Sequence, residues 1–176
     1  MIFRLLFIAL ICTSFAVPRR NDFIQWESTR RLSWSDFKAS PPRSASNAAL
    51  TSSGILMKFR TNGESVDYEI SCNFDQNSSW GRVKNDHILS HEQGHFDISE
   101  IYARKLNKAL KAYRPRENSI SRDVNEIYKK VMDELLVMQN KYDEETDYSR
   151  NFTQQRNWLV RIDNYLEGLS EYANYH

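Results

Sequence analysis

The chain has 176 residues, with 24 Lys and Arg against 23 Asp and Glu and a net charge of +1. That balance removes any electrostatic reason to expect nucleic acid or an acidic membrane surface as a partner. The length suits one domain with a single buried core. Beyond the N-terminus, no apolar run approaches the roughly 20 residues that a transmembrane helix needs.

Met1-Ile2-Phe3-Arg4 is a short n-region with one positive charge, and Leu5 to Phe15 is an apolar run too short to span a bilayer. Ser14-Phe15-Ala16 puts small residues at the minus-three and minus-one positions. Residues 1–16 therefore read as a secretory signal peptide, and residues 17–176 as a single exported domain, periplasmic or secreted. Ile11 is bulky where a lipid-attachment signal wants a small residue, which argues against lipoprotein anchoring at Cys12. Cleavage after Ala16 leaves Cys72 alone, so the mature chain has no intrachain disulfide and depends on packing. Cys72 alternates with apolar residues in an expected strand, which favours a buried apolar role over a nucleophilic one.

Residues 17 to about 50 read as irregular, with Trp26, Leu32, Trp34 and Phe37 as spaced apolar anchors and Pro41-Pro42 as a breaker. Ser53 to Arg60 reads as a strand with Ile55, Met57 and Phe59 on one face. Asn62-Gly63 then signals a hairpin. In the return strand Val66, Tyr68, Ile70, Cys72 and Phe74 face in, while Asp67, Glu69, Ser71 and Asn73 face out. A polar connection from Phe74 to Trp80 follows.

Asn85 or Asp86 can cap a long helix that runs to about Tyr113, before Pro115. Ile88, Leu89, His95, Phe96, Ser99, Tyr102, Ala103, Leu106, Ala109 and Leu110 form its core-facing stripe. Gly94 inside it costs about 1 kcal/mol in helix propensity and reads as room for another backbone or a substrate to approach. A second helix spans Ser119 to Lys141, and Tyr142 to Asn151 is an acidic break. A third helix runs from Thr153 to about Leu169.

The first of these helices carries His91-Glu92-Gln93-Gly94-His95, the pattern H-E-x-x-H. Residues four apart lie one turn above each other on one helix face. Two imidazoles there can hold one metal ion, and the intervening Glu92 falls beside it, where a general base takes a proton from a water on the metal. The pattern predicts a zinc hydrolase, a peptidase above all. The bland alternative, a surface helix with two histidines and a solvated Glu, sits poorly with histidines on an apolar face, because buried polar groups need partners. His87, one turn before His91, reads as a first-turn residue rather than a ligand.

Ile88 to Ile98, with Ile101-Tyr102-Ala103-Arg104-Lys105-Leu106, resembles a family of bacterial secreted proteins classed as zinc-dependent proteases of the zincin group. The resemblance continues through Leu32 to Lys38, Pro41-Pro42, Ala48 to Ile55, Phe74-Asp75, Ser79-Trp80, Gln139, Tyr142 to Thr146, Gln155 and Trp158. It implies a third zinc ligand, since catalytic zinc takes three protein ligands and a water. In the family a His follows the Tyr-Asp-x-x-Thr piece by two residues, and here that position is Tyr148. A phenol binds zinc well only once deprotonated, from an ordinary pKa near 10. Asp143, Glu144, Glu145 and Asp147 are carboxylates close enough in sequence to substitute.

These readings predict an α+β fold: a small antiparallel sheet packed against two or three helices, zincin-like, with the HExxH helix across its back. The expected activity is hydrolysis of a peptide or protein substrate. Zn²⁺ is held by His91 and His95, Glu92 is the base, and Tyr148 is third ligand or oxyanion donor. The rival is a catalytically impaired zincin-like domain that binds a peptide or cell-envelope partner without cutting it.

Overall fold

The structure, a computed structural model, describes residues 22–116 and 118–175. The signal-peptide reading at 1–16 lies outside the described residues. Two small antiparallel sheets and three helices make up an α+β fold, as the sequence predicts.

The hairpin pairs β3 (Ser53–Thr61) with β4 (Val66–Asp75), from Thr61 opposite Val66 to Ser53 opposite Phe74. Its turn holds Gly63 at φ +93°, a conformation that glycine adopts without Cβ strain. The Asn62 side chain accepts hydrogen bonds from the backbone N–H groups of Glu64 and Ser65 at 3.0 and 2.8 Å. Strict alternation then buries Ile55, Ile70, Cys72 and Phe74 on one face. The segment expected to be irregular supplies two short strands. β1 (Phe23–Gln25) pairs with β4 and gives the order β1-β4-β3, while β2 (Ala49–Leu50) pairs with β5 (Trp80–Gly81) in a second sheet. Such short strands lack enough alternation to be seen in the sequence.

α1 (Asp86–Ala112) is capped by Asn85, whose side chain accepts from Ile88 N at 2.9 Å. The sheet lies against one side of it, and α2 (Ile120–Glu145) and α3 (Phe152–Gly168) pack on others. α1 is therefore buried nearly all round, including many polar residues that must find partners. Gln93 accepts from Leu32 N at 2.8 Å. Asp97 accepts from Trp26 Nε1 at 2.8 Å and from Arg31 at 2.9 Å. Glu100 pairs with Arg104 at 2.8 Å and receives the Tyr175 hydroxyl, and Asn107 donates to the Tyr172 carbonyl at 2.9 Å. The segments around Trp26 to Leu32 and around Tyr172 to Tyr175 are thereby fastened to the helix that carries the motif.

α2 runs one turn further than its apolar pattern suggests. Tyr142 and Asp143, expected in a polar break, are helical, and the chain leaves helical geometry only at Asp147, Tyr148 and Ser149, with φ of 49°, 50° and 72°. Acidic residues interrupt an apolar pattern without breaking a helix. Three successive left-handed residues do break one.

Candidate metal centre

The long burial of α1 holds His91 and His95 one turn apart in the lining of a cavity of about 370 Å³. The neighbouring wall is the last stretch of α2, which brings Leu136, Gln139, Asn140 and Asp143 to the cavity. The segment around β2 closes the other side with Asn47 to Thr51. His91 Nε2 and His95 Nε2 lie 3.2 Å apart, and each is 3.1 Å from Asp143 Oδ1. Two nitrogens and one oxygen thus form a nearly equilateral triangle. Among the described residues these three form a cluster of metal-ligating type, its atoms within 4.8 Å of one another.

The ring of Tyr142 sets the angle of both imidazoles. It stacks on His91 at 4.6 Å and 22°, and meets His95 edge-on at 5.0 Å and 70°. Gly94 makes room for this ring. A Cβ there would stand 2.5 Å from the Tyr142 hydroxyl oxygen. The opening expected at Gly94 for a backbone or substrate is filled by a side chain of the same chain. On its other side Tyr142 packs against the buried Trp158 at 5.3 Å. Gln139 completes the surroundings of His95, with its Oε1 2.5 Å from His95 Nδ1.

Electrostatics in the cluster follow from burial and from the carboxylate. Burial pushes the His91 pKa down, and the Asp143 hydrogen bond offsets this only in part. For His95, burial also acts downward. The hydrogen bond to Asp143, the charges of Glu92 and Asp143 and the Gln139 contact outweigh it and raise the pKa. Burial raises Asp143, but the two histidine hydrogen bonds and the histidine charges overcome it and hold the carboxyl well below its usual range.

Glu92 is not among the triangle's ligands yet lines the same cavity. It is 4% exposed, and its Oε2 is buried with no partner among the described residues. Burial raises its pKa, offset in part by His95 and by hydrogen bonding from Thr51. The Thr51 hydroxyl also donates to the Glu92 carbonyl at 3.1 Å, which ties the β2 segment to the motif.

Tyr148 lies in the cavity wall with its side chain half exposed, inside the left-handed run. The structure gathers His91, His95 and Glu92 around the cavity floor, while the third short-range position is taken by Asp143. Glu144, Glu145 and Asp147 stand outside the cluster. Glu145 receives the Trp158 Nε1 hydrogen at 2.8 Å, and Asp147 pairs with Arg150 at 2.6 Å. His87 also stands outside. Its Nε2 donates to the Ser149 carbonyl at 2.6 Å, and its ring stacks on Phe152 at 3.7 Å.

By sequence Asp143 is one of four equivalent carboxylates, and Gln139 has no assigned role. A signal for both exists in the spacing. Gln139, Tyr142, Asp143 and the C-cap Thr146 stand at i, i+3, i+4 and i+7 on one face of α2, and the first three meet the histidines of α1.

The family model for bacterial proteins of unknown function (DUF922) matches residues 28–150, and the chain belongs to that family. The matched stretch contains the three triangle residues, Glu92, Gln139 and Tyr148. No curated protein and no solved structure matches the chain.

Proposed function

We propose that this chain is an exported zinc-dependent hydrolase of peptide bonds, with His91, His95 and Asp143 as the three protein ligands. The triangle carries the reading. Donor atoms about 2.0–2.1 Å from a tetrahedral zinc stand about 3.3 Å from one another. The observed edges of 3.1, 3.1 and 3.2 Å are close to that spacing. The donor chemistry also fits, since two imidazoles and one carboxylate are a catalytic-zinc set. Three such atoms converging on one point in a partly buried site gain from a shared cation.

Zn²⁺ held there supplies a water activated near neutral pH and a polarised scissile carbonyl. The protein's own groups do the rest. Glu92 lines the cavity with one carboxylate oxygen buried and without a partner among the described residues, and burial raises its pKa, which suits a base that must also act as an acid. It takes the proton of the attacking water and passes it to the leaving amine. Tyr148, on the cavity wall, donates its phenolic hydrogen to the oxygen that gains charge. In this arrangement it leaves the third ligand position to Asp143.

The rival reading, a domain that binds without cutting, draws on the absence of a His at 148. Asp143 offers the missing third position and weakens that argument. Among the described residues no helix is long and apolar enough to cross a membrane, which is compatible with export behind residues 1–16.

The test is elemental analysis of the purified protein together with activity on a casein-type substrate. The parent should carry about one zinc per chain and Asp143→Ala should lose it, while Glu92→Gln should keep the zinc and lose nearly all hydrolysis. Absence of zinc from the parent, both as purified and after reconstitution, would sink the metal reading. A Glu92→Gln protein as active as the parent would sink the role of Glu92.

A further inference from the structure

The side-chain amide of Gln139 grips His95 at two points. Its Nε2 donates to the His95 carbonyl at 2.9 Å and to Ser99 Oγ at 3.3 Å, while its Oε1 lies 2.5 Å from His95 Nδ1. A backbone carbonyl can only accept a hydrogen bond, so the amide nitrogen must be the end that faces it. Oε1 is then the end that faces the ring. An amide oxygen also only accepts, so Nδ1 must be the donor and carry the proton. A neutral imidazole protonated at Nδ1 has its lone pair at Nε2. Nε2 is the atom that faces Asp143 Oδ1 and His91 Nε2; without a cation it donates to the Asp143 carboxylate, and with one its lone pair is free to ligate.

The surroundings hold this orientation. Ser99 is fully buried, and its hydroxyl donates to the same His95 carbonyl at 3.2 Å. Ser53 Oγ lies 2.8 Å from Ser99 Oγ and anchors it from the sheet. A flipped amide would set its oxygen against the His95 carbonyl oxygen. His91 has no such clamp. Its Nδ1 is buried without a partner among the described residues, and its ring is oriented by stacking on Tyr142.

We propose that Gln139 is the positioning residue of the site: it keeps a proton on His95 Nδ1, so that Nε2, the nitrogen facing Asp143 in the triangle, is the one left to bind a cation. The consequence for zinc rests on the function proposed above, and the proton on Nδ1 does not. Side chains that orient a metal-binding histidine are each worth about 10–100-fold in metal affinity.

The experiment has two arms. Long-range ¹H–¹⁵N correlation spectra of the metal-free protein report which ring nitrogens bear a proton. The parent should show a proton on His95 Nδ1. Gln139→Leu should lose that proton and keep the one on Nε2 that Asp143 accepts, while Gln139→Glu, which keeps an acceptor, should retain it. Zinc competition against a chelator should give a 10–100-fold weaker site in Gln139→Leu. Far-UV circular dichroism checks that the variants fold, and the parental spectrum shows whether Nδ1 bears its proton even if they do not. A parent with no proton on His95 Nδ1, or a folded Gln139→Leu protein that keeps that proton or the parental zinc affinity, overturns the proposal. If the parent takes up no zinc, the metal reading fails and the Nδ1 proton still decides the role of Gln139.

Discussion

Gly94→Ala is a substitution that a helix by itself would welcome. It removes a glycine from the interior of α1 and gains about 1 kcal/mol of helix propensity. The structure opposes that gain. The new Cβ would meet the Tyr142 hydroxyl oxygen at 2.5 Å, Cζ at 2.9 Å and Cε1 at 3.0 Å. Carbon contacts are comfortable from about 3.5 Å, so the ring must retreat by roughly 0.5–1 Å. Tyr142 is wholly buried between the two histidines and Trp158, and it has nowhere empty to go. Overpacking of this kind costs about 1–3 kcal/mol. The net expectation is a loss of about 0–2 kcal/mol in stability, the difference between those two terms. The effect on the site is larger. Asp143 follows Tyr142 on the same helix, and metal–ligand distances tolerate only about 0.2 Å. Zinc affinity should fall by about tenfold or more, comparable with loss of an outer contact to a ligand. Urea unfolding of metal-free protein gives the first quantity and chelator competition the second. Pairing Gly94→Ala with Tyr142→Phe removes the closest contact, so the double variant should lose less than the sum of the singles. A Gly94→Ala protein that is more stable by about 1 kcal/mol, the full propensity gain, and binds zinc like the parent refutes the steric account.

Two further outcomes bear on the ligand set and on acid stability. Tyr148→Phe should leave zinc affinity within about twofold and lower turnover by about 10²–10³, the cost of a lost oxyanion donor; a loss of zinc as complete as that of Asp143→Ala would return Tyr148 to the ligand set. Asp123 near the start of α2 receives the Ser119 hydroxyl at 2.7 Å, Arg116 at 3.0 Å and the Tyr113 hydroxyl at 3.0 Å, which hold its pKa down at about 2. A carboxyl depressed in the folded state stabilises the fold above its ordinary pKa of about 4, and that contribution disappears as pH falls from there toward about 2. Asp123→Asn should therefore be less stable than the parent near neutral pH and converge with it across that window, and a deficit unchanged by pH would show that charge is not the cause.

The hairpin and all three helices are legible in the sequence because each carries a strong periodic signal. The alternation from Val66 to Phe74 and the Asn85 cap both recur in the structure. The two-residue pairing of β2 with β5 has no such signal, and it builds one wall of the cavity. The fully buried place of Cys72 is legible too, because alternation reports burial. The partners of Asp97, Glu100 and Asn107 are out of reach. Those side chains are satisfied from Trp26, Arg31, Tyr68, Tyr172 and Tyr175, residues up to 75 positions away in the chain. Sequence spacing carries no information about pairings of that range.

The end of α2 shows how a family pattern and a physical pattern lead to different residues. Position 148 draws attention because a resemblance places a ligand there. The fold gives that position a left-handed backbone and a half-exposed side chain. Asp143 looks like one acid among several in a polar stretch. Helical geometry separates those acids completely. At 100° per residue, Asp143 shares a face with Gln139 and Thr146, while Glu144 and Glu145 turn away from it. Burial then adds a second distinction, because only the face toward α1 can meet His91 and His95. The residue that closes the triangle is thus selected by its phase on a helix and by what packs beside that helix. Gln139, Tyr142, Asp143 and Thr146 taken as one stripe single it out from the amino-acid order alone, provided the helix is allowed to continue through its acidic turn.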